Sequence, residues 1–135
     1  MAKPEPAPQG APFLRTIGLG PLDVADGVAS ARLDFDPERH ANGIGIAHGG
    51  VLCTMLDIVM GYAAFSWPGR PGPIVTVNQN VSFLGAMRGP VVAHGRVTRG
   101  GKSMVFCSAE ILDAHGACIA TGQAVFKKLD TRPGG

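Results

Sequence analysis

The sequence predicts an α+β fold in which one long central helix is wrapped by a curved antiparallel β-sheet, in the order β-α-β-β-β-β. Three observations predict it. The stretch from Gly49 to Phe65 has few polar residues and is apolar nearly all round, so as a helix it must be covered on most of its surface. Four strand-like segments follow with short links, the arrangement of antiparallel neighbours. With 135 residues there is room for one packed core, so helix and strands must share it. Hydrophobic residues at 45% against charged residues at 16% are enough to build that core. The 20 glycines and 11 prolines are scattered without a collagen-like period and mark turns and tails.

In chain order, residues 1–12 carry Pro4, Pro6, Pro8 and Pro12 among small residues and read as a flexible Pro-rich tail. A single domain follows over 13–130, with 131–135 a flexible C-terminus. From Gly27 to Asp36, apolar Ala31, Leu33 and Phe35 alternate with Arg32, Asp34 and Asp36, the period of two of a half-buried strand. Pro37 to Ala47 supplies a loop rich in Gly and Asn, the helix occupies Gly49 to Phe65, and Trp67-Pro68-Gly69 stops it. Next, Val75, Val77, Gln79, Val81 and Phe83 alternate with Thr76, Asn78, Asn80 and Ser82, one face mostly apolar and the other polar. Pro90 to Arg99, Ser103 to Leu112 and Ala117 to Lys127 give three more strands, joined at Gly100-Gly101 and at Asp113-Ala114-His115-Gly116. These four strands are expected to form a meander.

The formal net charge of +2 does not indicate a nucleic-acid binder, but its distribution is uneven. No acidic residue occurs between Asp57 and Glu110, a stretch holding Arg70, Arg88, Arg96, Arg99 and Lys102. This is either a solvated basic face or a dock for an anionic ligand. Cys53, Cys107 and Cys118 are an odd number without C-x-x-C spacing or a signal peptide, so a reducing cytoplasm is expected. The longest apolar stretch, Ile44 to Phe65, is interrupted by His48 and Asp57, so no membrane span is expected.

Two features of the helix bear on chemistry. At 100° per residue, Asp57 shares a stripe with Gly50, Cys53, Thr54, Gly61 and Ala64, so a partner helix or a ligand can approach the carboxylate closely. A carboxylate buried there costs several kcal/mol unless it is paired, which suggests either a use for Asp57 or a structural hydrogen bond. At the helix start, His48-Gly49-Gly50 exposes N–H groups that have no intrahelical acceptor. With the helix dipole, such a turn can hold a developing oxyanion, though two glycines also serve a tight loop.

The stretch Asn42-Gly43-Ile44-Gly45-Ile46-Ala47-His48-Gly49-Gly50, followed by Asp57, resembles the active-site segment of the hotdog-fold acyl-CoA thioesterases of the PaaI type. The resemblance extends through Thr76 to Phe83 and the following strands, covering roughly Phe13 to Lys128. It implies that Asp57 acts as general base or nucleophile, that the Gly49 N–H serves the thioester carbonyl, and that Asn42 helps position the reacting groups. The hydroxyl residue of the next strand falls on Thr76. His48 is expected to orient the loop, with Gly50 beside it on the substrate. Arg88, Arg96, Arg99 and Lys102 become candidates for the phosphates of coenzyme A.

The spacing also bears on assembly. Gly49 and Asp57 lie eight residues apart, about 12 Å along one helix, so one protomer cannot bring both to one carbonyl. Two helices packed antiparallel along their small-residue stripes would, which agrees with the homodimer and composite sites that the resemblance implies. A pairing of dimers into tetramers is a further expectation from the same source.

Other candidates fit less. His40, His48, His94 and His115 lack zinc-site spacing, so no metal is expected. Cys53 has no histidine placed to activate it and reads as a small filler, and Gly100-Gly101-Lys102-Ser103 joins two strands rather than cradling phosphate. Tyr62 and Trp67 either line an acyl pocket or only pack. The resulting expectation is an acyl-CoA thioesterase acting on small aryl or medium-chain acyl groups and needing no cofactor, since coenzyme A is part of the substrate. The competing readings are a non-catalytic hotdog module that binds acyl-CoA or another ligand, and a hydratase or dehydratase on the same fold.

Overall fold

The computed structural model describes residues 11–68 and 72–129. Most of the expected tail, residues 131–135 and Arg70 lie outside the described residues. The order is α1 (Pro12–Thr16), β1 (Leu22–Ala25), β2 (Val28–Leu33), α2 (Pro37–His40), α3 (Gly49–Phe65), β3 (Ile74–Phe83), β4 (Val91–Gly100), β5 (Met104–Asp113) and β6 (Cys118–Lys128). The long helix and the strands after it agree with their predicted ranges to within about a residue, and one helix against one curved antiparallel sheet is the observed hotdog architecture.

A cradle of small residues lets the sheet curve around α3. Its inner face presents Ala29 and Ala31 from β2, Ala93 and Gly95 from β4, Ala109 from β5, and Ala120, Gly122 and Ala124 from β6, all buried. Into this cradle α3 sends Leu52, Met55, Leu56, Val59 and Met60, each almost fully buried. Large side chains on the helix against small ones on the strands allow the backbones to approach closely and still fill the space. Cys107 takes part in this core, its Sγ set 3.5 Å from the Met60 carbonyl; burial pushes its thiol up to about 12, so it stays protonated and inert.

Four details depart from expectation. The strand order is β1-β2-β4-β5-β6-β3, so only β4, β5 and β6 form a meander. β3 sits at the far edge against β6, and Leu84 to Pro90 carries the chain back across the strand ends, with Leu84 and Gly85 donating N–H groups to the Ile119 carbonyl. β1 was unforeseen: Asp26 and Gly27, both at positive φ, make a two-residue turn that folds Leu22–Ala25 back on β2. The tail ends earlier than expected, because Pro12 opens α1 and Leu14 is buried. Finally, the loop after β2 contains α2, capped by the Asp36 side chain.

His40, at the end of α2, is the one buried polar residue among the described core. Its Nδ1 accepts the Asp36 N–H at 2.9 Å, so its Nε2 carries the proton and donates to the Ile17 carbonyl at 2.7 Å. That pairing ties the end of α1 to the loop that leads into α3.

Candidate active site

The loop before α3 is organised by its own polar groups. Asn42 Oδ1 accepts the N–H groups of Ile44 and Ile46, at 3.0 and 3.3 Å, leaving only its NH2 to reach another molecule. His48 is the N-cap of α3: its Nδ1 accepts the Gly50 N–H at 2.9 Å and its carbonyl the Val51 N–H. His48 thus caps the helix, and because its Nδ1 takes the Gly50 N–H, that donor is already engaged rather than open to a substrate. The Gly49 N–H has no acceptor among the described residues. It points out of the positive end of a 17-residue helix, where a developing negative charge is stabilised.

Two turns along, Asp57 lies on the helix face toward β3. Thr76 Oγ1 donates to Asp57 Oδ1 at 2.7 Å, which fixes the carboxylate and leaves Oδ2 open. The expectation of a buried carboxylate is corrected: Asp57 is half-buried, because the described residues cover the stripe of Gly50, Cys53, Thr54 and Gly61 only in part. Ala64, assigned to the same stripe, is fully buried instead.

Thr76 reaches Asp57 because β3 contains a bulge. The register with β6 shifts between Thr76 and Asn78, leaving Val77 without a partner. Up to Thr76 the even-numbered residues face the helix, and after Val77 the odd-numbered ones do, so Thr76 and Gln79 share one face. The predicted apolar face of Val75, Val77, Gln79, Val81 and Phe83 is therefore split: Val75 lies opposite Lys127 on the outer face. Gln79 Nε2 donates to the Cys53 carbonyl at 3.2 Å, while its buried Oε1 has no partner among the described residues.

A cleft of about 870 Å³ opens beside the Asp57–Thr76 pair and runs along α3 past Gly61 and Tyr62 to Phe65. Ile74 and Phe126 line its sheet side, and Phe13 and Leu14 of α1 with Val24 of β1 close the far end. Of the two aromatic candidates, Tyr62 lines this cleft. Trp67 does not: it packs against Gly27 and Gly100, so closely that neither has room for a Cβ. Phe13, Phe65, Ile74 and Phe126 were missed as site residues, as was Phe83, whose ring lies over Gly49, 3.2 Å from where a Cβ would stand.

The basic residues are spread out. Arg88 lies in the loop beside Met87, whose carbonyl accepts the Ala47 N–H next to His48, at the Gly49 end of α3. Arg99 and Lys102 lie at the β4–β5 turn, roughly 30 Å from Arg88 at the rise of an extended strand. Arg96 pairs with Ser108 on the outer face of the sheet, away from the helix. The histidines are likewise separate, with His94 on β4 and His115 in the β5–β6 turn. Among the described residues no helix is long and apolar enough to cross a membrane.

Comparison with known proteins bears on the family and the fold. The family profile described as the thioesterase superfamily matches residues 44–120, the span from Ile44 in the loop before α3 through Asp57 and β3 to the first residues of β6. A Mycobacterium tuberculosis protein described as a candidate esterase, Rv1847, is 30% identical over 134 residues, covering 96% of this chain and 95% of its own. Its solved structure superposes with a TM-score of 0.84 over 91% of this chain and all of that one. Human acyl-coenzyme A thioesterase 13 is 30% identical over 89 residues, 64% of this chain and 63% of its own. The Escherichia coli PaaI protein shares the fold, with a TM-score of 0.83 at 18% identity over 90% of this chain and 87% of its own.

Proposed function

The chain belongs to the thioesterase superfamily, and on that premise we propose that it hydrolyses the thioester of a small aryl or medium-chain acyl-coenzyme A to the free acid and coenzyme A. The observation that carries this reading is the Asp57 carboxylate held by Thr76 at the mouth of an apolar cleft. Asp57 takes a proton from water as the water oxygen adds to the acyl carbonyl. The resulting oxyanion accepts the Gly49 N–H, a donor already oriented by the His48 cap. Collapse of the adduct breaks the C–S bond, and the proton on Asp57 passes to the departing thiolate. Asn42, through its NH2, orients the reacting groups.

A second copy of the chain completes the site. Gly49 and Asp57 stand eight residues apart on α3, about 12 Å, and so serve one carbonyl only from two chains. The surface around them suits such a partner: among the described residues the small-residue face of α3 is only partly covered, and β3 is an edge strand ten residues long with Val75 and Val77 43% and 52% exposed. Long apolar edges of that kind are templates for pairing. An Asn42→Ala/Gly49→Pro chain and an Asp57→Asn chain, each inactive alone, are expected to regain partial activity when mixed and allowed to exchange. Heterodimers that form and remain inactive would place Gly49 and Asp57 in separate sites.

Arg88, Arg96, Arg99 and Lys102 are the candidate suppliers of charge for the coenzyme A phosphates, with Arg88 foremost because it adjoins the Gly49 end of the helix. The decisive experiment is thiol release by the wild-type protein across acetyl-, octanoyl-, decanoyl- and phenylacetyl-CoA, beside the same acyl groups on a phosphate-free pantetheine thiol. Turnover should favour the coenzyme A esters, by a margin that shrinks with added salt. Binding without release on any thioester would instead indicate a ligand-binding module.

A further inference from the structure

Gly61 stands one turn beyond Asp57 on the same face of α3, in the floor of the cleft. Glycine in a helix interior weakens the helix relative to alanine, so its presence calls for a reason. Backbone conformation supplies none, since Gly61 does not adopt a positive φ. Crowding among the described residues of the chain supplies none either: a Cβ there would meet the Phe126 ring at 3.5 Å, an ordinary contact. At Gly95 and Gly100, by contrast, a Cβ would collide with backbone or with the Trp67 ring. What a side chain at 61 would do is enter the cleft, between the Asp57–Thr76 pair and the apolar end formed by Phe65 and Ile74.

We infer that Gly61 is a specificity-determining position, and that the cleft beyond it takes the unbranched hydrocarbon tail of a medium-chain acyl group. This deepens the thioesterase reading and rests on it. With the carbonyl beside Asp57, the tail passes over the bare Cα of Gly61 and ends near Phe65. Those eight residues of helix span about 12 Å, the reach of an extended chain of roughly eight to ten carbons built from ~1.5 Å bonds. The middle of the channel, lined by Ile58, Ile74 and Phe126, suits hydrocarbon, while polar groups stand at its far end: Asp26, and the Ser66 hydroxyl, which already donates to the Ala63 carbonyl and accepts the Gly27 N–H. An acetyl group stops short of Gly61, whereas an octanoyl group must pass it.

The test compares wild type with Gly61→Ala and Gly61→Leu on acetyl-, octanoyl- and phenylacetyl-CoA, with thermal denaturation of each protein and calorimetric binding of octanoyl-CoA and acetyl-CoA. The wild type should prefer octanoyl-CoA. Gly61→Ala should melt a few degrees higher and yet lower the octanoyl-to-acetyl ratio of kcat/KM, and Gly61→Leu should lower that ratio at least about tenfold, since one methylene in an apolar pocket changes kcat/KM by roughly 10- to 200-fold. Dissociation of Gly61→Leu into monomers, or equal loss on both esters, would make Gly61 a packing position and overturn the inference, as would an unchanged ratio. A wild-type preference for phenylacetyl-CoA over octanoyl-CoA would overturn the straight-chain assignment. Should no ester be hydrolysed, selective loss of octanoyl-CoA binding in Gly61→Leu would keep the channel while the hydrolase reading fell.

Discussion

Asp57→Asn is expected to reduce turnover by about 10²-fold or more while leaving the melting temperature within a few degrees of wild type. The two side chains are nearly isosteric, and the amide oxygen can still accept the Thr76 hydroxyl at the 2.7 Å separation now held by Oδ1. Packing and the local hydrogen bond therefore survive, and what disappears is the basic oxygen that takes a proton from water. Thr76→Val makes the complementary change, keeping the base but releasing its orientation, and should cost less in kcat than the loss of the base itself. Thiol-release kinetics on both variants, together with their melting curves, separate the cases. Near-normal turnover by Asp57→Asn would remove Asp57 from the chemistry, and a collapse in stability would make it a structural carboxylate.

The parts of the molecule legible in the sequence are those set by local pattern. α3 could be bounded because few polar residues interrupt the stretch between the His48-Gly49-Gly50 start and the Trp67-Pro68 stop, and β4 to β6 because a glycine pair and an Asp-to-Gly turn separate alternating segments. The turn between β1 and β2 was also written in the chain, as Asp26-Gly27, but a four-residue strand is too short to show a period. Strand order is different in kind. Nothing in the composition of β3 distinguishes pairing with β4 from pairing with β6; the choice depends on where Leu84 to Pro90 can cross, held by the Ile119 carbonyl and by Met87 in the core.

The site divides in the same way. His48, Gly49 and Asp57 are legible from their spacing along one helix, and that spacing alone puts Gly49 and Asp57 about 12 Å apart, the distance on which the proposal of a site shared between two chains rests. Thr76 becomes a partner of Asp57 only through the bulge at Val77, since a regular strand could not turn both Thr76 and Gln79 toward the helix. The walls of the cleft come from α1, β1, α3, β3 and β6, elements far apart in sequence, which is why Phe13 and Phe126 gave no signal. The sequence suggests a buried Asp57 because α3 is apolar nearly all round, but the described residues cover only part of the helix and leave Asp57 and Gly61 half-buried.

Gly95 is the position at which one added methyl group is expected to do most damage to the fold. It lies on β4 facing α3, and a Cβ built there would stand 2.7 Å from the carbonyl carbon and oxygen of Val59 and 2.9 Å from the Met60 nitrogen. These are backbone atoms in the middle of a helix and cannot swing aside as a side chain can. Gly95→Ala must lift α3 from the cradle, opening gaps around Leu56, Val59 and Met60, which are fully buried. Overpacking a core costs about 1–3 kcal/mol where neighbours can adjust. Here they cannot, so Gly95→Ala should cost at least about 3 kcal/mol, or roughly 10 °C in melting temperature for a domain of this size. Gly95→Val should exceed the stability of the domain and be recovered unfolded, given the usual margin of about 5–15 kcal/mol. Gly89→Ala is the control, because a Cβ at Gly89 meets nothing within 4 Å and its melting curve should match wild type. Since Gly49 and Asp57 ride on the helix that Gly95 admits, Gly95→Ala should also lose activity below its melting temperature. A melting temperature within about 2 °C of wild type would mean that α3 can shift without cost, and that the small-residue cradle does not fix the helix that carries the site.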